Sequence, residues 1–350
     1  MTGEANGAVT GEANGALLTA RELSVRFQLR DSIVQAVTDA SFELRPGRLL
    51  ALVGESGCGK SVLASALLGL LPGNAEIRGE VLLHSGTGPP LELTTAPERV
   101  LARRVRGRRI ALVPQSAATA LTPVRTVRAQ LTETLRELRP GGGDRNREAD
   151  ALAERAGLDP AALDRHPHEL SGGMVQRAVL AFALAADPDV VLADEPTSGL
   201  DRPLVDTAVD ALRGLADDGR AVLLITHDIA AAERAATDVA VMYASRIVER
   251  GPAAEVFGDP WHPYTRGLLA ATPARGLTPL PGHPPNLSDL PAGCAFRARC
   301  PQRDACTGDP SLGDLPGGRA LACALPPDGA AAALEGRAGR EAAPEPTGER

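Results

Sequence analysis

The stretch ALVGESGCGKS, residues 51–61, restricts what this chain can fold into more than any other. It joins a short apolar run, Leu49–Val53, to a glycine-rich turn, and the turn to Lys60–Leu70, which reads as a helix. Gly54, Gly59, Lys60 and Ser61 fit the spacing G-x-x-x-x-G-K-[ST] between a strand and a helix. Glycines let successive backbone N–H groups turn inward around an anion, and the helix behind presents its positive end to the same point. The cradle spans Gly54, Glu55, Ser56, Gly57, Cys58, Gly59, Lys60, Ser61 and Val62. Lys60 reaches the β and γ phosphates, Ser61 helps hold Mg²⁺, and Cys58 turns away as a small filler. Of 37 basic residues only Lys60 is a lysine. A compact ammonium and a planar guanidinium are not equivalent at a tight anion site, so its position is informative.

The rest of the chain extends the same pattern. Apolar runs at Arg109–Val113, Val190–Ala193 and Ala221–Thr226 read as strands buried on both faces of a parallel sheet. Val175–Ala186 reads as a helix, and 85–98 and 140–147 read as surface loops. Five arginines between 103 and 109 read as a solvated loop or strand edge. Residues 1–17, with TGEANGA twice, and 326–350 read as disordered tails. After Phe257 the periodicity fades, which predicts a small appended domain over 259–325 beside a main domain over 18–258. A net charge of −7 gives no reason to expect a nucleic-acid partner. No apolar run approaches the ~18–20 residues of a spanning helix, and the N-terminus lacks secretory-signal features. The expectation is a cytoplasmic protein whose link to a membrane goes through a partner.

Three further stretches carry chemistry. VVLADEP ends a strand in Asp194 and Glu195 at the rim of the sheet, where ligands bind. Asp194 suits Mg²⁺ coordination through water and Glu195 suits polarising a water, though an acidic pair here could simply cap a helix. Leu170, Ser171, Gly172 and Gly173 open a second helix with an anion-binding start. One domain has little use for two γ-phosphate clamps, whereas a head-to-tail dimer uses both. His227, after the fourth apolar run, stands at the rim in reach of a γ phosphate.

Taken in order, the phosphate loop 54–61, Gln115, the LSGG stretch 170–173, Asp194–Glu195, the SGLD stretch 198–201 and His227 resemble the ATPase subunits of ATP-binding cassette (ABC) transporters. The resemblance implies an α/β P-loop NTPase fold with a helical subdomain over about 116–185. It implies ATP and Mg²⁺ as cofactors, and Glu195, His227 and Gln115 as catalytic residues. Mg²⁺ would be held by Ser61, Gln115 and Asp194. Ser171, Gly172, Gly173 and Asp201 would bind nucleotide, and Phe27 would stack on adenine unless it is a core residue. HELSGGMVQR, the HPYT segment and PLPGHPPNLSDLPAGCAF narrow the likeness to dipeptide/oligopeptide/nickel importers. That implies a second ATPase subunit, identical or not, two transmembrane permease subunits, an extracytoplasmic solute-binding protein, and a peripheral place on the cytoplasmic face of the membrane. The alternative is a soluble cassette ATPase acting on nucleic acid or the ribosome. After Gln115 the chain lacks the acidic residue and asparagine usual in this family, which bears on the membrane partner. Gly199 replaces the commoner alanine or serine.

Cys294, Cys300, Cys306 and Cys323 are separated by five, five and sixteen residues. In a reducing compartment clustered cysteines bind metal more often than they form disulfides. Structural zinc usually has paired C-x₂₋₄-C spacings, which these lack. The family's four-cysteine motif implies a 4Fe–4S cluster, with zinc, free or disulfide-bonded cysteines as the other readings.

Overall fold

A computed structural model of the chain describes residues 15–324 apart from 86, 87, 142 and 307. The chain runs through β1 (Leu18–Gln28), β2 (Ile33–Leu44), β3 (Leu49–Val53), α1 (Lys60–Leu67), β4 (Ala75–Leu83) and β5 (Leu91–Glu92). Next come α2 (Glu98–Val100), β6 (Ile110–Val113), α3 (Ala117–Ala120), α4 (Val127–Leu138), α5 (Arg145–Arg155) and α6 (Gly172–Ala183). Then follow β7 (Val190–Asp194), α7 (Arg202–Asp217), β8 (Ala221–Thr226), α8 (Ile229–Ala235), β9 (Asp238–Tyr243) and β10 (Arg246–Pro252). The last are α9 (Ala253–Gly258), α10 (Pro263–Ala270), β11 (Gly313–Asp314) and β12 (Ala320–Leu321).

Two sheets form. An antiparallel one has the order β2-β1-β4-β5, and a larger one the order β11-β12-β10-β9-β3-β8-β7-β6. In the larger sheet β9, β3, β8, β7 and β6 are parallel. Every residue of β3 and β8 is buried, as expected for strands covered on both faces. Leu49, Ala51 and Val53 join the core shared with the helices, while Leu50 and Leu52 join the core shared with α1 and the antiparallel sheet. The four apolar runs thus hold as parallel strands, within one residue at their ends.

Other boundaries moved for identifiable reasons. The first helix stops at Leu67, and Arg106 donates to the carbonyls of Leu68 and Gly69 beyond it, each at 2.8 Å. The helix read over Val175–Ala186 runs from Gly172 to Ala183; the LSGG stretch opens it as expected, with Ser171 capping it through the Met174 N–H. The loop expected over 140–147 gives way at Arg145 to α5, capped by Asp144 at the Asn146 and Arg147 N–H groups. Within 85–98, Leu91–Glu92 pairs with β4. Of the arginine run, Arg103 and Arg104 are exposed. Arg106, Arg108 and Arg109 instead tie Glu98, the α4 C-terminal carbonyls and Asp189. Of the tails, 1–14 and 325–350 lie outside the described residues. Residues 15–17 are described: Ala16 is buried and the Leu17 N–H donates to Leu44.

The C-terminal region lies on the larger sheet. β12 pairs with β10, and β11 pairs with β12. The anchor is Glu249, fully buried on β10. It accepts from the Trp261 and His262 N–H groups at 2.8 and 2.9 Å and from Arg319 at 2.6 Å. The Arg319 guanidinium also lies 3.5 Å above the centre of the Trp261 ring.

Candidate active site

Because β3, β8, β7 and β6 are parallel neighbours, their C-terminal ends open on one edge. The register pairs Val53 with Thr226, Asp194 with Ile225, and Val113 with Ala193. Gly54, His227, Glu195 and Gln115 therefore leave the sheet along the same rim. Residues distant in sequence meet there because of strand order alone.

The loop after β3 is tightly fitted. Gly59 has φ +110°, and a Cβ there would lie 1.9 Å from the Ala36 carbonyl oxygen, so a side chain cannot be accommodated. Lys60 is buried, and its ammonium donates to the carbonyls of Gly54 at 2.8 Å and Glu55 at 3.0 Å. Cys58 is buried in the core under the antiparallel sheet, and burial pushes its thiol pKa up. Ser61 donates to Asp194 at 3.0 Å, which brings together a hydroxyl and a carboxylate, both hard oxygens suited to Mg²⁺. Burial raises the pKa of Asp194, against the opposing Ser61 hydrogen bond.

Glu195 is buried with φ +47°, and its carboxylate Oε2 lies 2.7 Å from His227 Nδ1. A non-glycine residue in that conformation is uncommon and is held here by hydrogen bonds from its own N–H to Ile225 and from the Ser198 N–H to its carbonyl. Gln115 is exposed just beyond β6. Phe27 is half-buried on β1, paired with Val34 and Ala75, a position compatible with both roles considered for it. Ser171 and Gly172 are exposed at the start of α6, which packs on α3, α4 and α5, whereas α1 packs on β1, β2 and β7. The two anion-binding helix starts belong to different layers. Gly173 packs against Leu204. Gly199 has φ +75°, a left-handed conformation that glycine adopts at no steric cost. Asp201 is exposed at the start of α7.

The C-terminal cysteines come together less tightly than expected. None of the four is in a disulfide, and Cys294, Cys300, Cys306 and Cys323 line one small cavity with His262 and Gln302. Among the described residues, however, no three His, Cys, Asp or Glu side chains form a group that could hold a metal ion. The closed ligand shell expected from the sequence is therefore not seen. Burial raises the Cys294 thiol and pulls the His262 imidazole down to about 4.

Two residues at the phosphate loop were not anticipated. The Glu55 N–H donates to the Tyr264 hydroxyl at 3.0 Å, and Arg299 grips the Glu55 carboxylate with both Nη atoms, at 2.7 and 3.0 Å. They lie 209 and 244 positions away in the chain; Tyr264 belongs to the HPYT segment, but nothing local in the sequence ties either residue to Glu55.

A parallel-sheet rim carrying this loop, an Asp–Glu strand end and a facing histidine defines an ATP-binding cassette ATPase. The family model described as ABC transporter matches residues 37–198, and the model described as oligopeptide/dipeptide transporter, C-terminal region, matches residues 248–306. The chain belongs to the ABC transporter family, in the branch that carries this C-terminal region. It is 40% identical to the oligopeptide transport ATP-binding protein OppD of Escherichia coli K12, over 89% of this chain and 94% of that protein. It is 38% identical to the dipeptide transport ATP-binding protein DppD of Bacillus subtilis 168, over 82% and 87%. In fold it matches the ATP-binding cassette MJ0796, described as a dimer in a post-hydrolysis state with ADP and Pi bound. There the TM-score is 0.60 at 23% identity, over 67% of this chain and 98% of that one. Among the described residues no helix is long and apolar enough to cross a membrane.

Proposed function

We propose that this chain is the ATP-hydrolysing subunit of a membrane importer for dipeptides or oligopeptides. The observation that carries the reading is the single rim holding Lys60, Ser61, Asp194, Glu195 and His227 in a chain whose C-terminal region is of the oligopeptide-transporter type. Lys60 and the loop N–H groups bind the ATP phosphates, and Ser61 and Asp194, with Gln115, hold Mg²⁺. Glu195, steadied by His227, polarises the attacking water. Phe27 stacks on adenine. Ser171, Gly172, Gly173 and Asp201 complete the site of a second cassette, identical or not, so that ATP closes the pair. Closure is passed to two transmembrane permease subunits at the cytoplasmic face, which receive solute from an extracytoplasmic binding protein. The exposure of Ser171 and Gly172, away from the layer of Lys60, supports this division between subunits. Coexpression with the transmembrane permease subunits it assembles with, in vesicles, tests the reading. ATP-dependent uptake of a labelled dipeptide or tetrapeptide is expected, and active ATPase with no peptide uptake would remove peptides as the cargo.

We infer further that the four cysteines hold a 4Fe–4S cluster. The four thiols line one cavity, and four thiolates at irregular spacing can close around a cubane cluster, whereas structural zinc usually shows paired C-x₂₋₄-C spacings. The cluster would supply a structural crosslink in a region with few large apolar residues. Anaerobically purified protein is expected to contain iron and acid-labile sulfide, and stoichiometric zinc without sulfide would replace the cluster by zinc.

A further inference from the structure

Three side chains hold Glu55. Tyr264 takes its N–H, Arg299 takes both carboxylate oxygens, and Lys60 takes its carbonyl. Two of the three come from the C-terminal region, outside the strand–loop–helix that forms the phosphate loop. Arg299 is itself fixed. Its side chain is 4% exposed, its Nε donates to the Pro281 carbonyl at 2.8 Å, and its Nη1 lies 3.4 Å from the Tyr243 hydroxyl. A planar fork on a carboxylate is a directional, charge-assisted contact, stronger than a neutral hydrogen bond and more so when shielded from water.

The surroundings are built for rigidity. Aromatics make up only 2% of the chain, yet both of its tyrosines meet Phe296 here. Tyr243 and Tyr264 have ring centres 4.5 Å apart, and Phe296 stands at 5.3 and 5.5 Å from them. Pro284, Pro285 and Leu287 also line a cavity with loop residues Glu55 to Cys58, and the Gln35 N–H donates to the Leu287 carbonyl. When Lys60 turns to a phosphate, the Glu55 carbonyl keeps only the longer contact from the Cys58 N–H, at 3.4 Å. The contacts from Tyr264 and Arg299 then remain to keep the loop in shape.

We propose that Arg299 and Tyr264 are positioning residues for ATP: through Glu55 the C-terminal region preorganises the phosphate loop and so sets nucleotide affinity. The proposal rests on the reading of this loop as the ATP site. Preorganisation favours bound ATP and the transition state alike, so its loss raises KM and leaves kcat nearly unchanged. A general loss of packing does the opposite, since fewer active molecules lower the apparent kcat at constant KM.

The test is a double-mutant cycle in the full-length chain, with ATP affinity read by displacement of a fluorescent ATP analogue and folding read by thermal unfolding. Arg299→Met and Glu55→Gln are each expected to weaken ATP binding about tenfold, a size in line with one charge-assisted contact. The double variant is expected to be no weaker than the worse single one, because the two residues act through one contact. Tyr264→Phe is expected to weaken binding in the same direction with less effect. Lys60→Ala is the control that identifies the site: unchanged affinity in this variant would remove the reading of the loop itself. If Lys60→Ala abolishes binding while Arg299→Met and Glu55→Gln change only the unfolding temperature, or their effects simply add, the positioning role is overturned and the ATP site stands.

Discussion

At the scale of single residues, the loop after β3 leaves little room for change. Gly59→Ala is expected to abolish ATP binding, at least a hundredfold, because the new Cβ would sit 1.9 Å from the Ala36 oxygen on a backbone of positive φ. Isothermal titration of the purified variant, with its unfolding temperature as a check, reads this directly. Such residues were legible because their chemistry is local. Lys60 stood out as the one lysine, and Gly54, Gly59 and Ser61 stood out by spacing. Glu55 was legible only as a member of the loop. Its partners Tyr264 and Arg299 were not, since each meets it only through the tertiary fold.

Among the elements, the parallel strands were legible because strands covered on both faces are continuous apolar runs. The antiparallel strands were not. β1 is interrupted by register shifts where Arg21 and Ser24 meet β4, and Glu22 has φ +48°, so the alternation of a half-buried strand is broken midway. The start of α5 was hidden by the Pro- and Gly-rich residues before it, although Asp144 is its cap. The C-terminal region read as a separate unit because Pro, Gly and Cys dominate it. Its attachment includes a buried ion pair, Glu249 with Arg319, with side chains 0% and 4% exposed. Removing one partner of a buried pair leaves an uncompensated charge, so Arg319→Met is expected to cost roughly 3–5 kcal/mol. Urea unfolding followed by Trp261 fluorescence measures it. Pairing the change with Glu249→Gln should recover part of the loss, and an unchanged midpoint in the single variant would make the pair incidental.

For the whole molecule, the sheet order β3-β8-β7-β6 is what brings the phosphate loop, His227, Asp194–Glu195 and Gln115 to one rim; the strand–helix pattern announced a parallel sheet but not this order. The Lys60 and Ser171 helix starts lie on different layers, and the proposed function assigns Ser171 to the site of a second subunit. Ser171→Arg is accordingly expected to leave ATP affinity of the isolated chain within about twofold and to stop hydrolysis in the assembled complex. An equal loss of affinity in the isolated chain would show that Ser171 acts within its own subunit.

The most direct measurement of the account is made on Glu195→Gln in the assembled transporter, with ATP affinity and hydrolysis determined on the same preparation. Glu195 faces His227 beside the Ser61–Asp194 pair, whereas the phosphates are held by Lys60 and the loop. The account predicts ATP affinity close to that of the unaltered protein and turnover reduced at least a hundredfold, the scale of losing a general base. Turnover near the unaltered rate would contradict it.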